Sequence, residues 1–462
     1  MKSAPPSTRN ERRKQGKALR EKCPRAAQGE WKPRPKSEDI IKLLEESDAG
    51  RIPGLIPVKY QRMAVSPFTF YRGAAIIQAR DLAKARVSGI TVQACGDCHL
   101  ANFGGFASPE RVLVFDINDF DETFPGPWEW DVKRLGASLV LAARDRNFSK
   151  AKADEAVRAA AASYRIRMSE YAEMKVLEMW YTELSLDAIE GHFRKDPDFS
   201  ARLAKKQRQA RSQNSEAVLP KLTETVDGHI RIKDNPPVIF HFQQNAENFE
   251  KTNRMHFKRY LKSLAADRLK LFERFHPQDS VIKVVGVGSV GTRCYVTLFF
   301  AQEDDPLFLQ TKEARRSVLE PPDGKSRYSN QGFRVVTGQR LMQASSDIFL
   351  GWFRSTHGHD YYIRQFRDMK ITAEIETFQP GTLVCYATLC GWVLARAHAK
   401  AGDAAMIAGY LGSGDQFDNA LADYSKAYAD QTERDYAAFQ AAIHSGRLST
   451  EPPKDGGLEF LS

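Results

Sequence analysis

The sequence predicts an α+β protein in which a small β-rich unit is inserted into, or docked against, a larger helical one. Three observations carry this. From about residue 131 to 275 the chain runs in Ala-, Arg-, Lys- and Glu-rich tracts of helical character, such as DEAVRAAAASYRIRMSEYAEMKVLEMW. A block beginning at Ser280 then switches to β-branched and aromatic runs: VIKVVGVGSVGTRCYVTLFF, LFLQTKEA, DIFLGWF and YYIRQF. From Thr382 the helical pattern returns in VCYATLCGWVLARAHAKAG and DNALADYSKAYADQTERDYAAFQAA. No fixed-period repeat is present, which argues against a solenoid.

The expected organisation is therefore a basic arm over 1–36, a helical part over 37–279, a β-rich part over 280–378 and a helical return over 379–462. With 462 residues, 42% hydrophobic and 27% charged, the chain can build two or three compact units. No apolar run reaches the ~18 residues of a membrane span, and the first thirty residues are charged where a signal peptide is apolar. A cytoplasmic chain with no membrane partner is expected. Six scattered cysteines form no disulfide framework, consistent with a reducing compartment.

The net charge of +10 is not spread along the chain. Residues 1–36 hold twelve Lys/Arg and three Glu, a net of +9, which leaves +1 for everything after them. The segment reads as a solvated, flexible end, with weak contact to nucleic acid or an acidic surface as the sharper alternative.

Element by element, SEDIIKLLEES is a short helix with Ser37 as N-cap and Glu38 and Asp39 in its first turn. A Pro-marked stretch, IPGLIPVKYQRMAVSPFTFYRG, leads to an Ala-rich helix near 74–86. From Gly89 two short strands, GITVQAC and RVLVFDIND, bracket a Gly-rich loop, HLANFGGFASPE.

That region holds the densest chemistry. Asp97 and Asp119 lie at strand ends with Asn102 between them, residue types that hold divalent cations and accept a proton beside a phosphate. Turn capping by Asp97 and Asn102 is the competing explanation. Cys95-Gly96-Asp97-Cys98-His99 also matches the C-x-x-C-H pattern of haem attachment, but that chemistry needs an exported chain. Zinc is disfavoured because no second Cys or His pair of comparable spacing appears within the next forty residues. Cys95 and Cys98 are expected to be buried thiols.

Gly286, Gly288 and Gly291 form a G-x-G-x-x-G around Ser289. A dinucleotide site would continue into a helix; here the strand-like TRCYVTLFF follows. A glycine turn between two strands is the arrangement that covers ATP phosphates in kinases. The next strand, LFLQTKEA, would place Lys312 where its ammonium reaches those phosphates, with an ordinary surface hairpin as the alternative.

Gly96-Asp97-x-His99-x-x-Asn102, followed by Asp119-Phe120-Asp121 and Trp130-Asp131-Val132, resembles the catalytic core of the aminoglycoside-phosphotransferase branch of the protein-kinase-like superfamily. The resemblance implies a two-lobed kinase-like fold using ATP and Mg²⁺. By the same resemblance Asp97 is the catalytic base, with His99 packed beneath its loop. Asn102 and Asp119 hold Mg²⁺, Asp121 lies in a second shell or on a second metal, and Asp131 braces the catalytic loop. The motif order differs from that superfamily: the glycine loop and Lys312 come about 190 positions after the catalytic loop. LCGWVLARAHAKAG resembles the helix that normally precedes that loop, so a circular permutation explains the order.

Over nearly its whole length the chain is also similar to the bacterial domain of unknown function 2252 family. The strings SPFTFYRGAA, GDCHLANFG, FDINDFDET, GVGSVGTR, RVVTGQRLMQASSDIFLGW, YYIRQFRDMK and ARAHAKAGD carry this likeness.

The function expected is an ATP- and Mg²⁺-dependent phosphotransferase acting on an unidentified small-molecule or protein hydroxyl. A nucleotide-binding pseudokinase or regulatory protein, or nucleotidyl transfer from the same pocket, is the alternative. Lys312 lacks an evident carboxylate partner; Glu320 and the polar helix around Gln339 are candidates, whereas Glu313 would point to the opposite face. Arg364 and Arg367 lie near the expected hinge, where contact with substrate and a salt bridge are both open. Leu341, Met342, Ile348, Leu350, Trp352 and His398 read as packing residues, and 205–211 as a solvated helix face.

Overall fold

Small side chains let the long helices approach closely. Helix Lys150–Glu173 lies along helix Pro380–Ala401, and at their contact a Cβ on Gly391 would collide with the Ala160 carbonyl oxygen. Helices Trp128–Asp145 and Gln416–His444 pack beside them, with Gly136 against the Ser425 hydroxyl. Trp128 is fully buried and stacks on Tyr164 with ring centroids 5.5 Å apart. This computed structural model describes residues 7–35, 38–212, 215–236, 238–241, 246–302, 305–321, 326–366 and 369–451. The architecture is α+β, as the sequence predicts.

Thirteen strands are present among the described residues. β1 (Thr91–Ala94) pairs with β4 (Phe124–Pro127), and β2 (Phe103–Ala107) lies between β3 (Leu113–Ile117) and β13 (Ile371–Thr372). A hairpin joins β5 (Thr223–Val226) and β6 (His229–Ile232) inside the stretch read as helical. The largest sheet is antiparallel, in the order β11 (Gly351–Arg354), β12 (Asp360–Gln365), β10 (Pro306–Glu313), β9 (Cys294–Phe300), β8 (His276–Lys283) and β7 (Ile239–Phe240).

The expected strand pair around 89–119 needs correction. GITVQAC and RVLVFDIND belong to different sheets, and the supposed loop between them contains β2. Phe103 and Phe106 flank Gly104 and Gly105, whose missing side chains let Ile371 lie close: a Cβ on Gly105 would be 3.1 Å from Ile371. Glycines that admit a neighbouring strand look like loop glycines in a sequence. The short helix expected from SEDIIKLLEES is Ile40–Asp48, capped by Asp39, whose carboxylate accepts from the Ile41 amide. Ser37 and Arg367 lie outside the described residues.

The basic arm is the second correction. Helix Arg9–Ala18 begins at a Thr8–Glu11 capping box and packs on helix Ala404–Leu411, where Gly16 meets the Met406 backbone. Further on, Arg34 is buried between Asp81 (2.7 Å) and Asp435 (2.5 Å). Positive charge in this segment is therefore spent on the body's own carboxylates, which a charge count along the chain cannot show. Burial lowers the guanidinium's affinity for its proton, but the Asp435 and Asp81 hydrogen bonds outweigh it and raise the pKa. Removing one partner of such a cluster strands the others. Arg34→Ala is expected to cost about 3 kcal/mol, read from urea unfolding; a cost below about 0.5 kcal/mol would show that the segment is not anchored there.

Register in the large sheet positions the site. Lys312 sits opposite Tyr362, and Gln310 opposite Arg364, so these four side chains share one face. Leu309, Tyr361 and Ile363 point to the other face, against Tyr260 and Phe272. Glu313 also points there and pairs with Arg293, as the alternation predicts. Among the described residues no helix is long and apolar enough to cross a membrane.

Candidate functional site

The chain leaves β1 at Ala94 and turns at Gly96, which has φ +88° and faces the Glu122 carbonyl so closely that a side chain would collide. The turn is held by Asp131, in the first turn of helix Trp128–Asp145. Its Oδ2 accepts from the Cys95 amide (2.7 Å) and its Oδ1 from the Gly96 amide (3.0 Å). His398 Nε2 lies 3.1 Å from Oδ2, while its Nδ1 meets the Tyr164 hydroxyl at 2.8 Å.

Arg134, one helical turn after Asp131, reaches Asp97 Oδ1 from Nε (2.8 Å) and Nη2 (2.7 Å). Asp97 Oδ2 is left towards His99, whose Nε2 is 3.7 Å away. Burial pushes the His99 imidazole down to about 3, so it is neutral at pH 7, and its Nδ1 is buried without a hydrogen-bond partner. Asn102 ties two loops together: its Nδ2 donates to the Asp97 carbonyl (3.1 Å) and the Asp119 carbonyl (3.0 Å). No donor among the described residues reaches its Oδ1.

Lys312 comes in from β10. Its Nζ lies 2.6 Å from Asp121 Oδ2 and 3.5 Å from Asp119 Oδ2. Asp121 has both oxygens engaged, since Tyr362 donates to Oδ1 (2.6 Å) and Ser289 to Oδ2 (3.0 Å). Burial raises Asp121, but Lys312 overcomes this and holds the carboxyl at about 2. Asp119 behaves oppositely: burial and then the Asp121 charge raise it, although 40% of its side chain faces open space. A raised carboxylate beside an unoccupied amide oxygen is a donor set that fits a divalent cation, with Asn102 and Asp119 as the ligands.

The glycine turn, with a short 3₁₀ segment at Val287–Ser289, lies between β8 and β9. Gly286, Gly288 and Ser289 line a cavity of about 1180 Å³ together with Asp97, His99, Asn102, Asp119, Asp121 and Lys312. Gly291 is the exception. Its φ of +85° turns the chain away, its carbonyl accepts from the Ile52 amide, and it packs against Arg51, which lines the cavity while Gly291 does not.

The family model described as "Uncharacterized protein conserved in bacteria (DUF2252)" matches residues 51–442. The chain belongs to the DUF2252 family. No curated protein and no solved structure matches it. The matched span of this DUF2252 protein takes in every cavity-lining residue named above.

Several parts of the DUF2252 site escaped the sequence reading. The carboxylate sought for Lys312 is Asp121, expected among the metal-associated residues; Glu320 instead pairs with Arg316, and Gln339 with Gln343. Helix Gln331–Met342 contributes a cation: buried Arg334 donates to the carbonyls of Asp121, Thr123 and Arg315. Arg134 was findable, since it follows Asp131 by three positions and so shares its helix face. His398, read as packing, is packed and also bonds Asp131. Arg364 donates to the Asn118 carbonyl (3.0 Å) and to Gln310 (3.2 Å). Cys95, Cys98 and Asp131 cluster within 4.8 Å, but burial raises both thiols, and both oxygens of Asp131 are occupied by the loop.

Proposed function

We propose that this protein is an ATP- and Mg²⁺-dependent phosphotransferase of kinase-like, circularly permuted organisation, acting on a hydroxyl acceptor. One observation carries the proposal: Lys312 and Asp121, 191 residues apart in the chain, form an ion pair at 2.6 Å on the wall that also holds Asp97, Asn102 and the glycine turn. Two loops that each carry half of a phosphate-transfer site in the sequence face one cavity.

In this account the amides of Gly286–Gly288 and the ammonium of Lys312 hold the nucleotide phosphates, and Asn102 and Asp119 would hold Mg²⁺. The bound Mg²⁺ supplies positive charge that offsets the phosphate oxygens. Asp97 Oδ2, the oxygen that Arg134 leaves free, accepts the proton of the acceptor hydroxyl. Asp131 keeps Asp97 in place through the Cys95 and Gly96 amides. Asp121 is the counter-ion that fixes Lys312, the role a helix glutamate would otherwise fill, with Tyr362 and Ser289 fixing Asp121 in turn. The β-rich and helical parts are then the two lobes.

A second account, nucleotide binding without transfer, is favoured by the Arg134–Asp97 ion pair, which occupies one of the two carboxylate oxygens. Incubation with ATP labelled at the γ- or the α-phosphate, against pooled small-molecule and protein acceptors, separates these. Label transferred from γ only, and lost at least about a thousandfold in Asp97→Asn with Mg²⁺·ATP binding retained, is the expected result. Transfer from α would indicate nucleotidyl transfer, and binding with no transfer in the native chain would favour the second account.

A further inference from the structure

Among the described residues, one arginine of the cavity wall makes no polar contact with the protein. Arg51, Arg62, Arg315 and Arg364 all donate to backbone carbonyls, Arg80 and Arg316 pair with Glu46 and Glu320, and Arg111 donates to the Met369 sulfur. Arg72, in helix Pro67–Gly73, makes no hydrogen bond or ion pair among the described residues, and its Nε is buried without a partner. Its guanidinium lies over the Phe68 ring, 5.8 Å from the centroid. A buried N–H left unpaired is costly, and this half-buried guanidinium lines a cavity wide enough to admit a ligand.

Its surroundings narrow what the ligand is. The carboxylates whose charge reaches it are Asp97 and Glu376, and its own charge contributes to keeping His99 neutral, so it stands on the Asp97 side of the cavity. The Arg72 carbonyl lies 3.3 Å from where a Gly288 Cβ would be, so the same residue touches the underside of the glycine turn. His99 Nδ1 is also buried without a partner, and His99 lines the same cavity. Lys312 differs from it in carrying two carboxylate partners of its own, Asp121 and Asp119.

Resting on the phosphotransferase account above, we infer that Arg72 binds the phosphoryl group in transfer, between the glycine turn and Asp97. As the acceptor oxygen forms its bond to phosphorus, the bond from phosphorus to the bridging oxygen of ADP breaks, and the acceptor proton passes to Asp97. Arg72 stays protonated throughout and offers its N–H groups to the equatorial oxygens, where charge is spread. Its ligand class is a terminal phosphoryl anion, which distinguishes it from Lys312.

The test is calorimetric titration of the full chain with Mg²⁺·ADP and with the Mg²⁺ complex of the β,γ-imido analogue of ATP, in native protein, Arg72→Lys and Arg72→Ala. Arg72→Ala is expected to bind the analogue about tenfold or more weakly while binding ADP within about twofold of native; Arg72→Lys falls between. Equal losses for both nucleotides, or no loss for either, would overturn the assignment while leaving the phosphotransferase account standing. Inorganic phosphate binding that Arg72→Ala removes, with the analogue unaffected, would also overturn it, placing Arg72 on an anionic acceptor instead. A native chain that binds neither nucleotide would bring down the phosphotransferase account itself, and this inference with it.

Discussion

Asp131→Ala is expected to lower the free energy of unfolding by about 4 kcal/mol, the largest stability effect of any single change in the site. Three donors converge on this buried carboxylate: the amides of Cys95 and Gly96 and the ring of His398. Truncation leaves the buried Cys95 amide and His398 ring and the part-buried Gly96 amide without their acceptor, and each unmet buried bond carries its desolvation cost. Gly96 makes the effect local as well as global, since its left-handed turn is held by one of those bonds and carries Asp97 into the cavity. Urea unfolding followed by circular dichroism measures the loss. A cost under about 1 kcal/mol would mean that the turn does not depend on Asp131.

Lys312→Ala is expected to cost about 3 kcal/mol at pH 7 and to change how stability depends on pH. In the native chain Asp121 has a folded pKa of about 2, below the ~3.9 of an unfolded aspartate. Its contribution to stability is therefore fully present above pH ~4 and lost as pH falls towards ~2. Without Lys312, the buried Asp119 and Asp121 repel each other and the pair binds a proton more tightly than in the unfolded chain. That sign is opposite: the variant's penalty is absent at low pH and grows as pH rises through ~4. The gap between native and variant should narrow on acidification from pH 7 to 4. A gap that stays constant across that range would show that Lys312 is not the group holding Asp121 charged.

Much of the site was legible in the sequence because its parts are local. The glycine turn between two strands and the lysine on the next strand are each set within one hairpin, and they lie between β8 and β9 and on β10 as expected. Even the direction of Glu313 followed from strand alternation. What escaped the reading depends on distant partners. Lys312 finds Asp121 only because β10 reaches the loop after β3, and Tyr362 joins it only because β12 pairs with β10 in that register. The N-terminal segment failed for the same reason. A run of Arg and Lys looks like a free arm until Asp81, Asp403 and Asp435 are brought against it from far along the chain. The strand Phe103–Ala107 was missed because its glycines answer to Ile371, more than 250 positions away.

The Lys312–Asp121 ion pair joins the two loops, and the proposed function requires a nucleotide and its metal to bind between them. Thermal unfolding of the native chain, Asp119→Ala and Lys312→Ala, each with and without ATP and with and without Mg²⁺, tests this most directly. A rise in the native midpoint of several degrees that needs both ATP and Mg²⁺, and that is absent in both variants, is the expected result. A folded native chain whose midpoint does not move with any combination of nucleotide and metal would contradict the assignment of this cavity to ATP.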